Sequence, residues 1–69
     1  MIISSSSDIG SLIKEKRIAM GLRLEDIHLA TGIAISTLSK IENSPGTKRL
    51  ENILAILNVL DIQLIAESK

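Results

Sequence analysis

The stretch Leu24–Asn43, LEDIHLATGIAISTLSKIEN, decides the fold. Glu25 and Asp26 fall in what reads as the first turn of a helix, where acidic side chains suit the positive dipole end. Ile27 and Ala30 share one face of that helix. Gly32 then breaks the pattern with a residue that takes positive φ in a tight turn without strain. A second helical pattern follows, with Leu38 and Ile41 on one side and Ile35, Ser36, Ser39 and Lys40 around the other. Asn43-Ser44-Pro45-Gly46 is dense in turn formers and ends it. The spacing predicts helices over Leu24–Thr31 and Ile35–Asn43, held at a steep angle by a small core of Ile27, Ile33, Leu38 and Ile41.

Working outward toward the N-terminus, Ile9, Leu12, Ile13 and Met20 fall on one face of a helix over Asp8–Met20. Ser7 is its expected N-cap and Gly21 its stop. Residues 1–7, with the short run Ser4–Ser7, read as a flexible tail before a domain over residues 8–60. Toward the C-terminus, a helix is expected over Lys48–Leu60, with Thr47 as N-cap and Glu51 nearby. Leu50, Ile53, Leu54, Leu57 and Leu60 form its apolar stripe, and Ile56 and Val59 widen it beyond what one small core needs. Over Ile62–Glu67 the period changes to two, which reads as a strand, with a continued helix as the alternative. A lone strand leaves its backbone groups unpaired, so its natural partner is the same strand of a second copy. Residues 61–69 are therefore expected to dimerise, through Ile56, Val59, Leu60, Ile62, Leu64 and Ile65.

Composition points the same way. A 69-residue chain has little core to offset the entropy of folding. No cysteine is present, so neither a disulfide nor a thiolate metal site can staple it, and one histidine makes no zinc site. Association is the remaining staple, in keeping with 45% hydrophobic residues and a mean hydropathy of +0.33. The start carries neither the charge pattern nor the apolar run of a secretory signal, and no apolar run reaches membrane-span length, so a cytoplasmic protein is expected. No nucleophile with a base, phosphate-cradling glycine loop or carboxylate pair appears, which argues against an enzyme. The net charge is zero, so any nucleic-acid binding must come from a local basic face. With no aromatic residue there is no stacking platform, which argues against single-stranded DNA or RNA as a target.

The segment GLRLEDIHLATGIAISTLSKIEN, residues 21–43, resembles the Xre/Cro-type repressor domains. Gly21-Leu22, Thr31-Gly32-Ile33, Ser36-Thr37 and Ile41-Glu42-Asn43 carry the resemblance. It implies a mainly α, four-helix, λ-repressor-like helix-turn-helix fold. A C-terminal β-strand pairing across a dimer, in place of a fifth helix, is similar to the HipB-like antitoxins. Their implied function is transcriptional repression of their own operon from palindromic double-stranded operators, as a homodimer, with a HipA-like kinase toxin as partner and no cofactor. A phage or restriction-modification controller repressor is the alternative in the same class. A protein-interaction module without tight DNA binding is the alternative outside it.

Carried over position by position, the resemblance makes Ala34, Ile35, Ser36, Ser39 and Lys40 base-facing. Lys40 is the strongest of these, since lysine donates to guanine O6 and N7. Ser36 and Ser39 suit several base edges, and Ala34 and Ile35 suit a thymine methyl. Phosphate contacts are implied for Arg23, for the Leu24 N–H at a helix N-terminus, and for Thr37, Ser44, Gly46, Thr47, Lys48 and Arg49. The resemblance also pairs Arg17 with Glu42 as a structural brace. Arg23 and Leu24 stand where the family usually has threonine and glutamine, and His28 where it has a small residue, so His28 must pack where the helices cross or point outward.

Overall fold

Helix α1 starts earlier than its apolar pattern suggests. The computed structural model, which describes residues 2–68, places α1 at Ser6–Ala19. Residues 1 and 69, the outer ends of the two expected terminal segments, lie outside the described residues. The N-cap is Ser5 and not Ser7. Asp8 decides this: its Oδ2 accepts the backbone N–H of Ser4 at 2.9 Å and of Ser5 at 3.1 Å, which draws two further serines into or against the first turn. At the other end the Leu22 N–H reaches the Arg17 carbonyl at 3.0 Å and the Gly21 N–H that of Ile18 at 2.9 Å. Gly21 takes φ +70° to close this turn.

Helix α2 spans Leu24–Thr31 and α3 spans Ile35–Asn43. Arg23 offers no acceptor to cap α2, and Asp26 supplies half of the usual reciprocal cap by accepting the Arg23 N–H at 2.7 Å. Gly32 turns between the helices at φ +76°. After α3, residues Pro45–Thr47 form a single 3₁₀ turn, closed by the Lys48 N–H on the Pro45 carbonyl at 3.0 Å. Thr47 lies inside that turn, so it does not cap the next helix. Helix α4 accordingly spans only Leu50–Val59, with Arg49 as its N-cap residue and Glu51 in its first turn.

Ile13, Ile27, Leu38, Ile41, Ile53, Ile56, Leu57 and Leu60 form the core, with Ile9, Leu22, Leu24, Ile33, Val59 and Ile62 packed against it. Helix α3 lies against both α1 and α2, and α4 against α2. Three expectations change here. The inner face of α4 is rotated, so that Leu50 and Leu54 are exposed while Ile56 is inside. Ile56 and Leu60 belong to the chain's own core and are not available to a dimer interface. Ala30 and Met20 face outward.

No strand forms among the described residues. Helix α4 is closed by the Ile62 N–H on the Leu57 carbonyl at 2.8 Å and the Asp61 N–H on that of Asn58 at 3.2 Å, with Asp61 at φ +56°. This left-handed closure turns the chain away and rules out a continued helix. Residues 62–68 then run without regular structure, because one chain offers their backbone no second extended segment to pair with. Leu64 and Ile65 remain 51% and 71% exposed.

Candidate nucleic-acid interface

The amphipathic pattern of α3 decides which of its side chains are presented. Leu38 and Ile41 are buried, which locks one face of the helix into the core. The opposite face carries Ile35, Ser36 and Lys40, all exposed, with exposed Ala34 just before it. Ser39 and Thr37 are half-buried at the margins. Asn43 lies seven residues on from Ser36 and three from Lys40, so it shares their face, although it is not among the base-facing positions that the family resemblance implies. Its amide donates to the Ser39 carbonyl at 2.8 Å and ties down the end of the helix. An α-helix with its side chains is about 10–12 Å across, and a B-DNA major groove about 12 Å wide admits one helix.

The flanking polar and basic groups sit at two places. Arg23 is exposed at the start of α2, where Leu24 is half-buried and the first backbone N–H groups have no partner within the helix. Ser44, Gly46, Thr47 and Arg49 are exposed in the segment after α3, with Lys48 half-buried. This segment is held against the start of α1, where a Cβ on Gly46 would stand 3.1 Å from the Ser6 hydroxyl. Arg49 meets Glu51 at 3.5 Å with both side chains mostly exposed, so that ion pair contributes little.

Arg17 joins three elements. Its Nε donates to Glu42 Oε2 at 2.7 Å, its Nη2 to Glu42 Oε1 at 3.1 Å, and its Nη1 to the Leu22 carbonyl at 2.8 Å. The side chains are 13% and 6% exposed, so the pair is largely shielded from water. Hydrogen bonding to Glu42 raises the Arg17 pKa above its ordinary value, against the opposing effect of burial. The end of α3 is thereby tied to α1. Gly10 adds to this: it is buried, and a Cβ there would collide with the Glu42 carbonyl oxygen. A glycine within a helical pattern is the signal that could have exposed this close approach in the sequence.

His28 packs onto the turn between α2 and α3. Its Nδ1 lies 2.7 Å from the Ile33 carbonyl oxygen. Thr31 donates from Oγ1 to the Ile27 carbonyl at 2.7 Å and accepts the Ile33 N–H at 3.2 Å.

Residues 13–65 match the helix-turn-helix family model. The chain belongs to the helix-turn-helix family. The resemblance to Xre/Cro-type domains therefore stands. An uncharacterized HTH-type transcriptional regulator of Haemophilus influenzae is 28% identical over 64 residues, which are 93% of this chain. The chain spans 63% of that relative's length. Among solved structures, the fold is similar to a chain of a HipA–HipB–O2–O3 complex, with a TM-score of 0.89 at 24% identity, covering 100% of this chain and 99% of the other. It is also similar to a chain of a HipB–O4 20mer complex, with a TM-score of 0.89 at 24% identity, covering 100% of this chain and 99% of the other. No helix among the described residues is long and apolar enough to cross a membrane.

Proposed function

We propose that this helix-turn-helix protein is a DNA-binding transcriptional repressor that reads a palindromic operator as a homodimer, and that it serves as the antitoxin of a HipBA-like operon. The observation that carries this reading is the division of α3, with Leu38 and Ile41 locked into the core while Ser36 and Lys40 stand exposed. Such a helix is held rigidly yet leaves its polar face free for base edges. Ala34, Ile35, Ser36, Ser39 and Lys40 are the base-facing set. Arg23, the Leu24 N–H, Thr37, Ser44, Gly46, Thr47, Lys48 and Arg49 are the phosphate-facing set, with the Arg17–Glu42 brace behind them. Likeness to HipB in complexes with a 20mer and with HipA supports DNA and a HipA-like kinase toxin as partners. The cytoplasm is the compartment such a repressor works in.

The tail supplies the dimer. Residues 62–68 pair as a strand with the same residues of a second copy, which covers Leu64 and Ile65 and satisfies a backbone that one chain leaves unpaired. Val59 and Ile62, half-buried, border that contact. Two α3 helices related by the two-fold axis then enter successive major grooves, about 34–36 Å apart.

A gel shift against the DNA upstream of the protein's own gene tests the reading. A specific shift that weakens with salt is expected, with a modest slope because few cations face the duplex. Lys40→Ala should lower discrimination between operator and scrambled duplex by roughly ten- to a hundredfold. No specific shift at any salt concentration would favour the second reading, a protein-interaction module, to which the zero net charge also points.

A further inference from the structure

Helix α3 begins without a cap. Its N-cap residue is Ala34, whose methyl group accepts nothing from the first N–H groups of the helix. Something else must set where α3 starts, and Ile33 is the residue one step upstream. Both backbone polar groups of Ile33 are held by side chains of α2. Its N–H donates to Thr31 Oγ1 at 3.2 Å. Its carbonyl lies 2.7 Å from His28 Nδ1, and since a carbonyl only accepts, that ring nitrogen carries the hydrogen. His28 and Thr31 are three residues apart, on one face of α2. Thr31 is itself anchored by its bond to the Ile27 carbonyl at 2.7 Å, and Ile27 is in the core.

We infer that His28 is a positioning residue for base recognition: with Thr31 it clamps Ile33 onto α2 and so fixes the start of α3. The inference rests on the DNA reading above and deepens it. The clamped residue directly precedes Ala34, Ile35 and Ser36, the first of the base-facing set. Base-edge hydrogen bonds tolerate displacements of only about 0.5 Å. Phosphate contacts spread over several flexible side chains tolerate more. Loosening the clamp therefore lowers discrimination between sequences more than it lowers overall affinity for DNA. A turn ordered before binding also spares the complex the cost of ordering it.

The test compares wild type, His28→Ala and His28→Asn by fluorescence anisotropy, on the upstream duplex and on a scrambled duplex of equal length. Asparagine places an amide N–H at the same branch point as imidazole Nδ1. The ratio of specific to non-specific affinity should fall about tenfold in His28→Ala, in line with one lost hydrogen bond that leaves a carbonyl unpaired. It should return to within about threefold of wild type in His28→Asn. Without DNA, the nitrogen-15 spectrum of the neutral His28 ring should show the hydrogen on Nδ1. A His28→Ala ratio equal to wild type, a His28→Asn ratio as low as that of His28→Ala, or a ring protonated on Nε2 would each overturn the clamp. Wild type that cannot tell the two duplexes apart, while its ring still shows the Nδ1–H form, overturns the DNA reading instead, and the clamp's part in recognition with it.

Discussion

Replacing Gly10 with alanine should destabilise the protein, although helix propensity says the reverse. Gly10 is the fifth residue of α1, an interior position where glycine costs about 1 kcal/mol relative to alanine. The structure opposes that gain with a steric cost. A Cβ on Gly10 would collide with the Glu42 carbonyl oxygen and stand 3.0 Å from the Ile41 carbonyl oxygen. Both atoms are backbone, and Ile41 is fully buried, so no side chain can swing aside. Admitting the methyl group means parting α1 from α3, which stretches the Arg17–Glu42 pair and loosens Ile13 and Ile41 together. Overpacking of this kind costs about 1–3 kcal/mol, and displacement of backbone places it at the upper end. After the propensity gain, a net loss of about 2 kcal/mol remains. For a domain of this size, that lowers the melting midpoint by roughly 10 °C. The chain has no aromatic residue, so far-UV circular dichroism is the natural probe, in heat and in urea. Wild type and variant are compared at one chain concentration, because the proposed dimer would make the midpoint concentration-dependent. Ser11→Ala, exposed on the same helix, is the control and should be stabilising by about 0.5 kcal/mol. A Gly10→Ala protein that melts above wild type would refute the close approach of α1 to α3.

The Arg17–Glu42 pair should show strong coupling. Arg17→Met leaves a buried carboxylate unpaired and should cost about 3–5 kcal/mol, whereas Arg17→Met with Glu42→Met should cost far less than the two single changes together; additive urea-melt values would remove the pair as a brace. Asp8 predicts an acid-side dependence. Its pKa is lowered, first by the Ser4 N–H and then by that of Ser5, so its contribution is complete above the ordinary value of 3.8 and is lost as pH falls through the lower folded-state value. Asp8→Asn should flatten that part of the stability profile below about pH 4, and an unchanged acid limb would contradict the capping role. Finally, if the proposed dimer forms through the tail, Leu64→Asp with Ile65→Asp should leave only monomer in light scattering while keeping helix content intact, since neither side chain belongs to the core. A dimer that persists would move the interface elsewhere.

The two helices at the centre of the fold were legible in the residues because their boundaries are local events. Gly21 and Gly32 take positive φ and Ser44-Pro45 breaks the pattern, so α2 and α3 begin and end where the chain itself demands. The outward set on α3 was legible for the same reason: Leu38 and Ile41 at helical spacing leave Ser36 and Lys40 only the other side. What tertiary packing decided is which of several apolar residues each helix buries. Helix α4 carries more of them than one face holds, and contact with α2 selected Ile53, Ile56 and Leu57 over Leu50 and Leu54. The same holds for Gly10, whose bare Cα matters only because the end of α3 crosses it. A local signal is written in backbone conformation and spacing; a contact between distant residues exists only once the chain has closed on itself.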